Sequence, residues 1–421
     1  MCIDLKTFYA SVECVERGLD PFTTNLVVAD PTRTETTICL AISPAMKALG
    51  VKNRCRVFQI PKDIDYIMAM PRMRKYMEVS AEIYRIYLRY VSPEDIHVYS
   101  IDECFIDVTP YLSLYGKTPR QFAQMLMSAV MDETGICATA GIGENLFLAK
   151  VALDITAKHV PDNIGFLDLR SFQRTIWHHR PITDIWNVGP GIAARLETYR
   201  VFDLCGVAHM DQQLLYKEFG VNAEYLIDHA WGLEPCTIAD IQAYQPEDTS
   251  LGNGQVLPCD CNFEEAHTIL REMVDALVLD LVEKGLACNH LSLSVGYARG
   301  EHETFREHQF GARTGMSKKL PCYTNSFKQL WEYMDEMYLS VTDPTKMVRR
   351  LNMAAAGLVS EDYITVDLFT DVEAQERERK MQKAVLAVKG KFGKNAVLKG
   401  TSWKEKATAR ERNQQVGGHH E

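Results

Sequence analysis

The chain has no apolar run long enough to cross a bilayer and no N-terminal signal pattern, so a membrane protein is excluded and a cytoplasmic location is expected. It also has no cysteine pairs at the spacing that holds zinc or runs a redox couple. The 12 cysteines are scattered, with Cys259 and Cys261 the only close pair, and are expected to be reduced and mostly packed. Basic residues are outnumbered, 46 against 56 acidic, for a net charge of −10, which taken alone argues mildly against a nucleic-acid partner. That shortage is uneven: from Asp371 to Glu421, eight Lys and four Arg face seven acids. Internal repeats are absent too.

What remains is a globular composition, 46% hydrophobic and 24% charged over 421 residues, enough for about three domains. The opening reads as a strand stub followed by apolar residues at helical spacing (Phe8, Val12, Val15), with Asp4 at the junction. Residues 22–67 alternate short strands, "NLVVAD" and "TTICLAIS", with the short helix "PAMKALG". A long helix over Met73–Leu88, a hairpin near residue 100, a helix over "PRQFAQMLMSAVMDET", the strand "ICATAGIG" and the helix "NLFLAKVALDITAKH" follow. Together these predict an α+β domain interrupted by the 22–67 insertion. Residues 167–235 read as helical, 236–250 as a polar linker, and 245–355 as a second α+β unit. Beyond 356 a helix within 372–390 and a loose end are expected; composition leaves open whether that basic tail meets DNA, meets a partner or stays disordered.

One stretch demands an explanation. "YSIDECFIDV" (99–108) sets two adjacent carboxylates, Asp102 and Glu103, in a run that otherwise reads as buried strand. Neighbours in an extended strand point to opposite faces, so both serve one site only if the chain bends there, as at the tip of a hairpin. Alone, such a pair is most simply an acidic turn facing water. With Asp4 arriving on a neighbouring strand it becomes a candidate site for two divalent cations, for which hard oxygen ligands suit Mg²⁺. Lys150, in the first turns of a helix after the glycine-rich "GIG", and Lys47 are candidate triphosphate contacts, although most lysines are simply solvated. Tyr9 would sit one helical turn above the metals and could pack on a sugar; core packing explains it equally well. In "NVGPGIAARL" a tight turn with Gly189 and Gly191 opens a helix whose amides suit a nucleic-acid phosphate, close to an even choice against a turn that binds nothing.

Taken in order, "IDLKTFYASVE", "YSIDECFIDV", "GIGENLFLAKVALDITAK" and "VGPGIAARL" make the chain resemble the Y-family translesion DNA polymerases, in particular their bacterial UmuC-like (ImpB/MucB/SamB) branch, over roughly residues 2–355. The resemblance implies a right-hand polymerase: a palm (1–21 and 68–166), small fingers (22–67), a helical thumb with a helix-hairpin-helix turn (167–235), an α/β little finger (245–355) and a C-terminal tail (356–421). It implies Asp4, Asp102 and Glu103 as catalytic metal ligands for two Mg²⁺, helped by the Leu5 carbonyl. Tyr9 would be the gate against ribonucleotides, with Phe8 beside it, and Lys47 and Lys150 would contact the incoming dNTP. Gly189, Gly191, Arg299, Arg313, Lys318, Lys319, Arg349 and Arg350 are candidate contacts to primer–template DNA. "TVDLF" (365–369) resembles a peptide that binds the sliding clamp, with Leu368 and Phe369 as anchors and Thr365 in place of the usual glutamine; a UmuD-like accessory subunit stays open. Only three residues precede Asp4, so a shortened first strand with reduced stability is also expected. The implied activity is low-fidelity, template-directed synthesis past lesions. A non-catalytic DNA-binding protein with a decayed palm, or a nucleotide cyclase with a palm-like fold, are the alternatives; the helix-hairpin-helix turn and little finger argue against a cyclase.

Overall fold

Three apolar residues around Asp4 place the first strand in the centre of a sheet. β1 (Cys2–Leu5) pairs antiparallel with β6 (Glu103–Ile106) on one side and β7 (Ala138–Gly143) on the other, in a five-stranded sheet ordered β5-β6-β1-β7-β8, with β5 at Ile96–Val98 and β8 at Ile164–Leu167. Cys2, Ile3 and Leu5 are buried, and the Met1 ammonium, itself buried, donates to the Ile106 carbonyl at 3.0 Å. The computed structural model describes residues 1–246, 249–298, 312–364 and 371–420, which form two units, Met1–Tyr244 and Gln245–His420.

In the first unit, α1 (Phe8–Val15), α3 (Met73–Tyr87) and α5 (Pro119–Thr134) contribute to one apolar core with the central sheet. α5 begins at a capping box, Thr118 with Gln121, and ends at Gly135 with φ 66°, which matches its sequence signals. Between α1 and α3 lies a three-stranded sheet, β3-β2-β4, of Ala41–Ile42, Leu26–Val28 and Ile67–Ala69. Its strand pleat divides it between two cores. Leu26, Val28, Ala41 and Ala69 join the palm cluster, while Val27, Ala29 and Ile42 pack with Cys39, Met46 and Ile60 of the fingers. The insertion therefore runs to Ala69, two residues past the expected boundary, because β4 pairs in parallel with β2.

The stretch expected as one helix after "GIG" winds three ways: α6 (Leu146–Val151), a π-helical segment over Ala152–Thr156 and a 3-10 turn over Ala157–His159. Gly141 and Gly143 let this helix lie directly on β7. A Cβ on Gly141 would sit 2.1 Å from the Ala149 carbonyl oxygen, so contact distance, and not backbone φ, requires glycine there. The thumb is helical as expected, from α7 (Leu169–Thr175) to α11 (Ala223–Ala230), with α8 at Pro190–Thr198. The polar stretch expected to be linker instead holds a further helix, α12 (Ile238–Ala243), started by the Thr237–Asp240 capping box and seated by buried Ile238.

The second unit is a five-stranded antiparallel sheet, ordered β11-β10-β12-β9 with the short β13 (Val359–Ser360) also paired to β10, and α13 (Phe263–Glu283) and α14 (Phe327–Val341) lie on one face. β10 (Leu286–Tyr297) and β12 (Val348–Ala356) fall where the sequence places them, whereas β9 (Ser250–Cys261) and β11 (Arg313–Thr324) were not foreseen. The tail is not loose. After α15 (Val372–Phe392) the chain returns to α13: the buried Glu272 carboxylate accepts from the backbone N–H of Thr408 at 2.8 Å and of Ala409 at 3.2 Å, and Arg412 Nη2 donates to Asn253 at 2.8 Å. All 12 cysteines are free.

Candidate active site

The hairpin resolves the problem of two neighbouring carboxylates. β5 and β6 are joined through residues 99–102, where the N–H groups of Tyr99 and Ser100 both donate to the Glu103 carbonyl at 3.0 Å. The Ile101 carbonyl is held by Ser80 Oγ at 2.6 Å, and the Asp102 carbonyl accepts from Leu5 N at 2.9 Å. Asp102 thus leaves the extended run while its backbone stays tied to β1. Glu103 stands opposite Asp4 in the β1–β6 register, and directly opposed residues put their side chains on the same face.

Electrostatics confirms that these groups face one another. Burial, then the charges of Asp102 and Glu103, push the Asp4 pKa from 3.8 up to about 7, with Lys150 opposing. Lys150 is buried and sits inside the cluster, its Nζ 2.7 Å from Glu103 Oε1 and 3.1 Å from Asp154 Oδ2. Desolvation works against its charge, but these carboxylates raise its pKa overall. The Cys2 thiol donates to Glu103 Oε1 at 3.0 Å and Ser100 Oγ to Asp102 Oδ1 at 2.7 Å. The donor set is therefore carboxylate oxygen under mutual repulsion, which a divalent cation relieves, so the residues fit Mg²⁺. The candidate ligands are not drawn together into a closed cage: among the described residues no three acidic, His or Cys side chains meet as a metal-binding group, and the Lys150 ammonium is the counter-charge in contact with Glu103.

Tyr9 lies beside this cluster, its pKa raised by burial and by Asp102 and lowered by Arg54 of the fingers. Its ring stacks on Tyr76 at 4.4 Å and 16°. Tyr76 is fully buried and donates its hydroxyl to Glu13 at 2.8 Å; Glu13, also fully buried, accepts from Arg72 Nε at 2.9 Å and Nη2 at 3.1 Å and from Arg17. Phe8, expected beside Tyr9 as a nucleotide contact, lies against it with ring centroids 5.8 Å apart but is 2% exposed within the palm core, so its own ring faces the core. Desolvation lowers the Lys47 pKa overall, with the Asp4 charge opposing and the Lys158 and Lys6 charges adding to it. Lys158 was not singled out, although it closes the same "GIGENLFLAKVALDITAK" stretch that supplied Lys150; the π-helical segment between them breaks the helical spacing that would have tied them together. Glu13, Tyr76 and Ser100 were missed as well, since nothing in local spacing links them to the site.

Gly189 and Gly191 open α8. Neither has a positive φ, and a Cβ on either would meet nothing within 4 Å, so the fold itself does not require glycine at these positions. Gly189 caps the helix without a side-chain hydrogen bond, leaving first-turn amides free of that partner. In the second unit the strand pleat sorts the candidate cations. Arg313 and Lys319 on β11 and Arg350 on β12 are exposed with the small residues Ser292, Ser294, Gly315 and Ala354 on the sheet face away from the helices, around a shallow trough of about 440 Å³. Lys318 points the other way: it is ion-paired with Glu336 on α14 at 2.5 Å and lies over the Tyr333 ring, because adjacent strand residues cannot share a face. Arg349 is paired with Asp260 at 3.1 Å, next to a register shift in β12. Arg299, Leu368 and Phe369 lie outside the described residues. Among the described residues no helix is long and apolar enough to cross a membrane.

A central-sheet palm with a carboxylate hairpin, an inserted small sheet, a helical region and a separate α/β unit define the right-hand polymerase architecture. A solved structure, a Y-family DNA polymerase chimera (Dbh-Dpo4(243-245)-Dbh), superposes with a TM-score of 0.63 at 20% identity over 85% of this chain and 98% of its own, which establishes the fold. The impB/mucB/samB family model matches residues 3–154 and the model of the same family's C-terminal domain matches 248–368; the chain belongs to this family, the UmuC-like branch of the Y-family polymerases. Its relatives include the "Putative UV-damage repair protein UvrX" of Bacillus subtilis (strain 168), 29% identical over 100% of this chain and 97% of the relative. They also include "DNA polymerase IV 2" of Halalkalibacterium halodurans, 28% identical over 99% and 98%.

Proposed function

We propose that this chain is a DNA-directed DNA polymerase that carries out low-fidelity translesion synthesis, extending a primer 3′-hydroxyl with deoxynucleoside triphosphates. The observation that carries the reading is the register pairing of Asp4 with Glu103, with Asp102 turned beside them, inside a palm of this family. Asp4, Asp102 and Glu103, with the Leu5 carbonyl, would hold two Mg²⁺. When bound, the two ions would lower the pKa of the attacking hydroxyl and neutralise charge on the phosphates. Lys150 keeps the cluster's charge balanced, and Lys47 and Lys158 supply cations to the triphosphate. Tyr9, held by Tyr76, presents a fixed ring where a 2′-hydroxyl would clash. The amides at Gly189 and Gly191, and the outer-face cations Arg313, Lys319 and Arg350, hold the DNA backbone without reading its sequence. The presence of all three carboxylates and of Lys150 supports the catalytic reading over a decayed palm.

Primer extension by the purified chain with Mg²⁺ and dNTPs, on intact and abasic-site templates, tests this. Short extension that continues past the lesion and disappears in the Asp102→Ala, Glu103→Ala variant is expected. No extension by the wild type with primer–template binding intact refutes the catalytic reading.

A further inference from the structure

The segment from Lys389 to Arg412 is strongly basic, with eight Lys and Arg against two acids, Glu405 and Glu411. Such a run is ordinarily a solvated tail. Here it is fastened to the second unit by Lys399 to Asp275 at 2.5 Å, by Arg412 to Asn253 and by the Glu272 bonds to Thr408 and Ala409. Those anchors leave Lys404 and Arg410 exposed and without an ion-pair partner among the described residues.

Next to Lys404 in the chain, Trp403 is 67% exposed, although its other neighbour Ser402 is buried. The Arg410 guanidinium lies 4.2 Å from the Trp403 ring centroid, a cation–π stack at the surface. Beside the stack opens a cleft of about 260 Å³ whose lining includes Asn395, Gln414 and Ser402. An indole plane held by a guanidinium, with Lys404 and the Gln414 amide lining the same cleft beside the single carboxylate Glu411, matches an unstacked base, its phosphate and its polar rim in turn. A duplex offers no free base face, and an acidic peptide would use the cations and leave the indole plane idle.

We infer that Trp403, Lys404 and Arg410 form a binding surface for single-stranded DNA on the C-terminal segment. The choice of DNA rests on the polymerase reading; the stack, the charge and the cleft do not.

The test is fluorescence anisotropy of the full chain with a labelled oligo-dT of about 16 nucleotides, a length in the range of single-strand site sizes. Trp403→Leu should weaken binding roughly 5- to 100-fold, the loss of one stacked base, while Trp403→Tyr keeps most of the affinity. Lys404→Gln and Arg410→Gln should each reduce the slope of log K against log salt by about 0.7. Duplex affinity, and extension on a primer–template with a minimal overhang, should not change in any of them. Unchanged oligo-dT affinity and salt slope overturn the inference, as does equal loss on duplex. Equal loss in Trp403→Tyr with a lower melting temperature overturns it too, since the indole is then structural. So does competition by polyglutamate that disappears with Lys404→Gln and Arg410→Gln but not with Trp403→Leu, which assigns the cations to an acidic protein. Binding is read without catalysis, so failure of the polymerase reading would appear separately, as absent extension by the wild type.

Discussion

Glu13→Gln is the substitution that probes the gate without touching it. The Glu13 side chain is fully buried, Tyr76 has no exposed surface, and the Arg72 and Arg17 side chains are 41% and 37% exposed. Removing one partner of a fully buried ion pair costs about 3–5 kcal/mol. Both guanidinium groups can turn to water here, and the glutamine oxygen still accepts from Tyr76, so the expected loss is about 2–3 kcal/mol. For a unit of this size each kcal/mol moves the melting temperature by about 2–4 °C, which gives a drop of about 4–12 °C at pH 7. The pH dependence follows from the same contacts. Burial pushes the Glu13 pKa up, but hydrogen bonds from Arg72, Arg17 and Tyr76 outweigh it and leave the group below its ordinary 4.5. A depressed carboxylate contributes stability that is present above the unfolded value and is lost as pH falls through the folded one. The gap between wild type and variant should therefore be full at neutral pH and should close below about pH 4.5. Tyr76→Phe keeps the stack on Tyr9 and removes one bond to the carboxylate, for about 1–2 kcal/mol. Thermal unfolding followed by circular dichroism from pH 3.5 to 7.5 measures both. Equal melting temperatures at pH 7, or a gap that persists undiminished in acid, would refute the buried-pair account. With the polymerase reading, Glu13→Gln should also raise ribonucleotide insertion relative to deoxynucleotide, in the direction of Tyr9→Ala.

Three further outcomes are expected. Asp4, whose pKa is about 7 in the fold against 3.8 unfolded, makes the metal-free protein fully stable only in acid and less stable as pH rises through 7, by at most about 4 kcal/mol. Asp4→Asn should flatten that slope in chelator-treated samples, and parallel slopes refute the assignment. Gly141→Ala drives a Cβ against the backbone of Ala149 and Leu153 and should cost upwards of about 3 kcal/mol or prevent folding, whereas Gly189→Ala, which meets nothing, should cost no more than about 1 kcal/mol at the helix cap and weaken primer–template binding. Glu272→Ala removes the acceptor of the Thr408 and Ala409 N–H groups, so limited proteolysis should cut within 393–420 in the variant and spare the wild type; identical digestion patterns refute that anchor.

The parts of this molecule that were readable from its sequence are those held by periodic apolar burial or by turn chemistry. The helix over Pro119–Thr134 announces itself through Thr118, Gln121 and Gly135, and the Asp102–Glu103 bend follows from the two faces of a strand. β9 and β11 were hidden because one face of each is Gly252, Gly254, Gly315 and Ser317 and the other includes Asn253, Gln255 and Lys318, so little apolar alternation survives. The tail was hidden for a related reason, since charged and polar anchors such as Glu272 and Arg412 fasten it and leave no hydrophobic stripe. Lys150 could be picked out by its motif, but its ion pair with Glu103 spans two distant segments and only the folded sheet brings them together.

The shared sheet of the fingers has a mechanical meaning. Because Leu26, Val28, Ala41 and Ala69 belong to the palm core while Val27 and Ile42 belong to the fingers, swinging one part against the other would open a packed apolar seam. On the polymerase reading, a nucleotide pocket built across that seam would be preformed, and correct and incorrect base pairs would meet the same wall. Discrimination by clamping down on the right shape would then be unavailable, and a distorted template would not be rejected for failing to trigger closure.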